Sequence, residues 1–134
     1  MGIHVSGGVD DLARDLRFLA TKTRPEMSKV VREAARTGNR HAQAFASEDH
    51  TMFSDVDADY PDAFTVEAIT PLKYEYGPDA SRPQGSKASG YEFGSINQAY
   101  PHLDLARSAD IIAVEFPMDV DDKVRELFAE AGFR

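Results

Sequence analysis

Cysteine is absent from this chain of 134 residues, which excludes disulfide bonds and thiolate chemistry. The fold must therefore be stabilised by packing alone. No apolar run reaches the roughly 18 residues that a membrane-spanning helix needs, so we expect no interaction with a membrane. The first residues lack the basic and apolar regions of a signal peptide, which predicts that the protein stays in the cytoplasm where it is made.

Excess positive charge is also lacking. Lys and Arg total 15 against 23 Asp and Glu, and the formal net charge is −8. Tight sequence-independent binding of nucleic acid needs a face of cationic side chains, so this balance argues against such binding. A negative surface could still let DNA slide past, because it repels phosphates. Acidity that simply aids solubility is the other interpretation.

Motifs of catalytic and metal sites are missing as well. No Ser lies in a G-x-S-x-G turn, and the four His residues have no zinc-ligand spacing. The Gly-rich stretch at residues 6–8 lacks the Lys and Ser or Thr of a phosphate-binding loop. We therefore expect a protein that is not an enzyme and that holds no cofactor.

One acidic segment resembles the start of a calcium loop, with Asp55, Asp57 and Asp59 at alternate positions. An EF-hand of this register has Gly at its sixth position and Glu at its twelfth, where Tyr60 and Val66 stand. These departures favour a solvated loop without a metal. A calcium- or ligand-binding cytoplasmic module is the alternative from another functional class.

Hydrophobic periodicity predicts two N-terminal helices, the second one long. Residues 9–20 place their apolar side chains on one stripe, and residues 25–47 do so over a longer stretch. Between them, Thr23 and Glu26 fit a capping box, and Pro25 suits the first helical turn.

Alternation of apolar and polar residues predicts a small antiparallel sheet. Residues 63–70 and 72–77 are its first two strands, and residues 91–94 return as a short third strand. Residues 78–90 contain two Pro, two Gly and three Ser but no large apolar side chain. We therefore expect a long flexible loop, because such a segment cannot bury itself.

The C-terminal part predicts further helices. Pro101 opens one that runs through Ile112, Pro117 interrupts the pattern, and a last helix begins at Asp119 and ends at Gly132. No repeat or second domain is evident in the sequence. We therefore expect residues 1–134 to form a single α+β domain.

Aromatic residues are concentrated around the predicted loop, at Tyr74, Tyr76, Tyr91, Phe93 and Tyr100. Such residues suit either the core of a small sheet or an interface with a partner, and both remain open. Within the loop, Arg82 and Lys87 outnumber Asp79. A locally basic loop on an acidic protein suits docking on the acidic face of a neighbouring copy or partner.

The order of these features resembles that of the small neck proteins of long-tailed bacteriophages, the head–tail connector or tail-completion proteins. That family has two N-terminal helices, strands, a loop, an aromatic-x-Phe-Gly strand, and a Pro-containing segment leading to a helix with an early Ala. Here Tyr-Glu-Phe-Gly stands at residues 91–94, and Tyr-Pro-His-Leu-Asp-Leu-Ala stands at residues 100–106. The Pro and Thr-Gly-x-Leu stretch that often precedes the family's first strand is replaced at residues 59–64. The acidic connector at residues 52–62 and the break at Pro117 also depart from the pattern.

The resemblance implies a structural virion protein that forms a ring, usually a hexamer, between the capsid portal and the tail tube. DNA passes through the lumen of such a ring at ejection without specific binding. The implied partners are other copies of the chain, the head-side connector or stopper, and the tail terminator or tail tube. A tail terminator is the alternative within the same setting. We expect the ring interface among Arg82, Gln84, Lys87, Tyr91, Glu92, Phe93, Tyr100 and Pro101.

Overall fold

The computed structural model describes residues 5–52, 59–94 and 101–133. Its elements in chain order are α1 (Val5–Met52), β1 (Phe64–Thr70), β2 (Lys73–Pro78), α2 (Ala88–Phe93) and α3 (Asp104–Ala131). Single turns of 3-10 helix lie at Pro61–Ala63 and Gly85–Lys87. The fold class is α+β as expected, with a long N-terminal helix, a two-stranded antiparallel sheet and a C-terminal helix.

Helix α1 is continuous over 48 residues, so the prediction of two separate N-terminal helices is wrong. Thr23 does not cap a helix, because its hydroxyl donates to the carbonyl of Leu19 one turn earlier. Thr21 bonds to Arg17 in the same way. Pro25 lies inside the helix on its exposed side, where its ring points away from the packed face. The other side of α1 packs against the rest of the protein, and the helix therefore continues through Pro25.

Helix α3 packs antiparallel against α1. Lys123, in the second half of α3, places its ammonium 3.7 Å from the carboxylate of Glu26. Arg107, in the first turn of α3, lies with its guanidinium 4.3 Å from the ring centroid of Phe45. Two amphipathic helices bury their apolar stripes against each other in this way.

Helix α3 is also continuous, so the predictions of helices starting at Pro101 and at Asp119 are corrected. Pro117 lies within the helix on its exposed side. A proline there leaves one carbonyl unbonded, and water can satisfy that group at an exposed position. Gly132 ends the helix as expected, with a φ of 105° that a residue bearing a side chain rarely adopts.

Strands β1 and β2 form an antiparallel hairpin, which confirms the first two predicted strands. Val66 lies opposite Tyr76 and Glu67 lies opposite Glu75, with a register shift near the turn. The Tyr76 ring packs on Gly38 of α1 so closely that a Cβ there would lie 2.6 Å from the ring. A glycine in the helix is what permits this approach.

Residues 91–94 do not form the predicted third strand. Tyr91 and Glu92 belong to the short helix α2, and both side chains are buried. Their carbonyls accept hydrogen bonds from the N–H groups of His102 and Leu103, at 2.8 and 3.2 Å. In a strand, adjacent side chains point to opposite faces, whereas the helical turn lets these two neighbours both enter the interior.

The segment 78–90, expected to be a long flexible loop, is folded against the turn that precedes β1. Asp79 donates its N–H to the carbonyl of Ala63 at 2.8 Å. Hydrogen bonds from the hydroxyl and the backbone of Ser81 hold the pKa of the Asp79 carboxyl below its usual value. Gly85 approaches the Asp79 carbonyl so closely that a side chain would overlap it. Backbone hydrogen bonds and glycine packing thus fold a segment that has no large apolar side chain.

The hydrophobic core lies where α2 and the base of the hairpin meet α1 and α3. Its buried members are Ala42, Ala46, Tyr60, Phe64 and Tyr91. The Tyr60 ring is 5.2 Å from that of Phe64 and 4.4 Å from that of Tyr91, between centroids. Alanines on α1 let the aromatic rings approach the helix closely. Among the described residues, no helix combines the length and apolar character that crossing a membrane requires.

Candidate functional site

The eight residues of the predicted interface lie in different environments. Tyr91 and Glu92 are buried, Gln84 is half-buried, and Arg82, Lys87, Phe93 and Pro101 are exposed. Tyr100 lies outside the described residues. The interface prediction is therefore corrected at Tyr91 and Glu92, because both side chains belong to the interior of the subunit.

Glu92 caps the N-terminus of α3 from outside that helix. Its carboxylate oxygens accept hydrogen bonds from the N–H groups of Leu105 and Ala106, at 3.0 and 2.9 Å. These two donors belong to the first turn, whose N–H groups have no partner within the helix. The negative charge also lies at the positive end of the helix dipole. Glu92 thus fixes where α3 begins, although the residue lies 12 positions before the helix.

A buried polar cluster continues from this cap into α3. The carboxylate of Asp104 accepts a hydrogen bond from the guanidinium of Arg107 at 2.9 Å, and Arg107 lies over the ring of Phe45. The hydroxyls of Tyr76 and Ser108 are 2.9 Å apart. The cluster therefore joins α3 to α1 through Arg107 and to β2 through Ser108. Its acid is paired with a cation, which suits a structural role better than acid–base catalysis.

Tyr60 is the buried phenol beside this cluster. Its hydroxyl has no hydrogen-bond partner among the residues described. Burial raises the pKa of Tyr60 well above its usual value near 10, and the charges of Asp104 and Glu92 and the neighbouring Tyr91 add to the effect. The neutral phenol packs in the core. It is therefore not accessible from the solvent, from which a substrate would have to approach.

The end of α2 carries the exposed aromatic residue of the predicted interface. Phe93 is 72% exposed although it directly follows the buried Glu92. Leu103 is also exposed, and it donates its N–H to the Glu92 carbonyl. Its left-handed backbone, with a φ of 55°, costs a leucine about 1 kcal/mol or more. An exposed aromatic ring on an anchored segment is typical of a binding surface.

Two further exposed surfaces were missed by the sequence analysis. One is the turn of the hairpin, where Ile69 and Leu72 are exposed beside cationic residues of α1. The other is the outer face of α3, where Val114 and Met118 are exposed among acidic residues. A signal was present in the sequence: residues 17–40 carry seven Lys and Arg against two Glu. The net charge of the whole chain conceals this segregation.

The possible calcium loop falls mostly outside the structure. Asp55 and Asp57 lie outside the described residues, and Asp59 is exposed. Within the described ranges, no group of three or more His, Asp or Glu side chains is arranged to hold a metal ion.

Comparison with known proteins adds no assignment. The chain matches no protein-family model, no curated protein and no solved structure. Functional inference therefore depends on the surfaces described above and on the sequence pattern.

Proposed function

We propose that this protein is a structural component of the neck of a long-tailed bacteriophage, where a ring of its copies joins the tail to the head. The observation that carries the proposal is the exposed Phe93, held on an anchored helix within the Tyr-Glu-Phe-Gly motif of the resemblance. A subunit of a ring needs such a surface, because its contacts are made only on assembly.

The order of the elements supports the proposal. A long N-terminal helix, a hairpin and a C-terminal helix follow one another as the resemblance implies. Two features differ from it: the N-terminal part is one helix instead of two, and residues 91–93 are helical instead of a strand. The segment that carries the motif also joins these elements, because Glu92 caps α3 while Tyr91 packs beside Tyr60. The motif thus serves both the fold of the subunit and the presentation of Phe93.

The charge of the protein is compatible with a ring around DNA. With a net charge of −8, the subunit does not attract phosphates overall, so DNA can move through a lumen without being held. The buried carboxylates of Glu92 and Asp104 also have structural roles, because they accept hydrogen bonds within the fold. The proposed role therefore requires assembly and no chemical step.

The position of the protein in the particle tests this proposal. Antibodies raised against the purified chain can be used for immunogold labelling of phage particles in negative stain. We expect gold at the junction between head and tail in most labelled particles. Label confined to the capsid surface or the tail tip, or particles that contain none of the chain, would contradict the proposal.

A further inference from the structure

Helix α1 carries a positive face on an acidic protein. Lys29, Arg32, Arg36 and Arg40 are exposed and recur every three or four residues, so they lie along one side of the helix. Lys29 and Arg40 are paired with neighbouring glutamates, at 2.9 and 3.6 Å. Arg32 and Arg36 form no ion pair with any other residue that the structure describes. Their charge is available to a partner.

The turn of the hairpin adds apolar side chains beside this positive face. Ile69 and Leu72 are 45% and 47% exposed. Pro71, between them, borders a groove of about 430 Å³ whose other wall is formed by α1, including Lys29 and Arg32. The hairpin-tip surface is defined here as Lys29, Arg32, Arg36, Ile69 and Leu72.

The outer face of α3 has the complementary character. Val114 and Met118 are 66% and 62% exposed and lie one turn apart. Asp110 lies one turn before this pair and Asp122 one turn after it, both exposed. Neither aspartate has an ion-pair partner in the described part of the chain. The outer α3 surface is defined as Asp110, Val114, Met118 and Asp122.

We infer that copies of this chain bind one another head-to-tail, with the hairpin-tip surface of one copy on the outer α3 surface of the next. Each surface combines two large apolar side chains with charges of one sign that are unpaired among the described residues, cationic at Arg32 and Arg36 and anionic at Asp110 and Asp122. At ~1.5 Å per residue, the cations of the hairpin-tip surface extend about 10 Å along α1, from Lys29 to Arg36. They fit within the about 18 Å that separate Asp110 from Asp122 along α3. Opposite charges orient such an interface, and apolar burial stabilises it.

The two surfaces lie on different parts of the subunit. The outer α3 surface faces away from α1, while Lys123, on another side of α3, meets Glu26. The hairpin turn meets α1 at the groove between Pro71 and Arg32. The contact is therefore heterologous, and copies added in this way form a ring if the rotation closes. Only the ring closure depends on the proposed neck function.

A second copy explains the positive face better than DNA does. Phosphate recognition needs cationic side chains, but it gives no role to the exposed Ile69 and Leu72 at the same place. The chain itself supplies a partner surface with both the apolar and the anionic character. Binding of DNA at this face in place of a second copy would overturn the inference.

Cross-linking tests the contact directly, because the natural chain contains no cysteine. The variants Leu72→Cys and Val114→Cys are mixed and treated with a short bismaleimide. We expect cross-linked dimers in the mixture at several times the yield of either variant alone. A matched control mixes Leu72→Cys with Val9→Cys, an exposed position on neither surface, and should give little product. Equal yields from both mixtures would contradict the inference.

Charge reversal gives an independent test by sedimentation velocity at low salt. Arg32→Glu/Arg36→Glu makes the first surface negative, and Asp110→Lys/Asp122→Lys makes the second positive. Each double variant alone should be monomeric at concentrations where the natural chain associates, because like charges meet. A mixture of the two should associate again, because opposite charges are restored at every contact.

Three results would overturn the inference: a natural chain that stays monomeric and does not cross-link, variants that associate like the natural chain, or a mixture that remains monomeric. Retention of duplex DNA by the natural chain but not by Arg32→Glu/Arg36→Glu, without any change in association, would assign the face to DNA instead. Head-to-tail association of a chain that is absent from phage particles would contradict the neck function while leaving this contact intact. A chain found at the neck without the Leu72–Val114 cross-link would contradict this contact while leaving the neck function intact.

Discussion

Single residues determine where elements of this fold begin and how they pack, and Glu92 is the clearest case. A buried carboxylate without partners is strongly unfavourable, but Glu92 is satisfied by two N–H groups and by the dipole of α3. From the sequence, Glu92 was expected to lie in an interface. The cap could not be inferred, because its partners Leu105 and Ala106 approach it only in the folded chain.

Replacing Glu92 with Gln tests this cap. Glutamine has nearly the same shape, but it lacks the charge and can offer only one acceptor oxygen. We expect Glu92→Gln to lower the free energy of unfolding by about 2 kcal/mol, measured by urea denaturation. The control Glu115→Gln, at an exposed position of α3, should change it by less than about 0.5 kcal/mol. Equal effects of the two substitutions would argue against the cap.

Tyr60 predicts a specific dependence of stability on alkaline pH. Because burial raises its pKa above the usual value near 10, the unfolded chain loses this proton first. The contribution is fully present below pH 10 and is lost as pH rises above it, by up to about 1.4 kcal/mol per pH unit. Tyr60→Phe removes this loss and also removes a buried hydroxyl without a partner in the described structure.

The measurement is a series of urea denaturations between pH 8 and pH 11. Tyr60→Phe should be at least as stable as the natural chain at pH 8, because the lost hydroxyl makes no hydrogen bond with the described residues. Above pH 10 its stability should fall less steeply than that of the natural chain. Parallel curves over the whole range would show that Tyr60 does not titrate in the unfolding reaction.

Elements were predictable where one pattern extends over many residues. The hairpin was predicted correctly, because apolar and polar residues alternate through both strands. The apolar stripes of α1 and α3 were also predicted. The helix boundaries predicted at Pro25 and Pro117 were wrong. Both prolines lie on the exposed sides of helices that pack through their other sides. Helix α2 was missed because alternation over Tyr91–Phe93 is too short to separate a strand from one helical turn. As a strand it would place Tyr91 and Phe93 on one face, whereas the helix buries the first and exposes the second.

The continuity of α1 can be tested at Thr23. If Thr23 capped a second helix, Thr23→Ala would lower the free energy of unfolding by about 1 kcal/mol. In a continuous helix we expect a change below about 0.5 kcal/mol, equal to that of Thr21→Ala, which makes the same type of hydrogen bond. Pro25→Ala should then stabilise the protein, because it restores a helical N–H. A large loss from Thr23→Ala alone would favour two helices.

The packing of the hairpin on α1 can be tested with two alanine substitutions in the same helix. Alanine favours helix over glycine by about 1 kcal/mol, so Gly8→Ala, which has nothing within 4 Å of the new Cβ, should stabilise slightly. At Gly38 the new Cβ would lie 2.6 Å from Tyr76, whose hydroxyl is held by Ser108. We expect Gly38→Ala to destabilise by about 1–3 kcal/mol despite its better helix propensity. Stabilisation by both substitutions in thermal denaturation would contradict this packing.

On the scale of the whole molecule, the distribution of charge matters more than its sum. The net charge of −8 is the balance of a positive face on α1 and acidic residues that include Asp110 and Asp122 on α3. The basic loop expected from Arg82 and Lys87 is thus a smaller feature than the face that contains Arg32 and Arg36. Spatial segregation of this kind depends on which sides of two packed helices remain exposed, and periodicity alone did not assign those sides.

Assembly should depend on the exposed end of α2. Phe93→Ser removes a ring that is 72% exposed, so we expect the subunit to keep its melting temperature within a few degrees. In complementation of a phage that lacks the natural chain, the yield of joined particles should fall at least tenfold. Phe93→Leu, which keeps an apolar side chain, is the matched control and should retain most of the yield. Full yield with Phe93→Ser would contradict a role of Phe93 in assembly.

Electron microscopy of lysates from a phage with a stop codon in this gene tests the central claim most directly. A protein that joins tail to head predicts DNA-filled heads beside free tails of normal length. Tails of uncontrolled length would assign the chain to the tail terminator within the same neck region. Intact and infectious particles would contradict the proposed neck function.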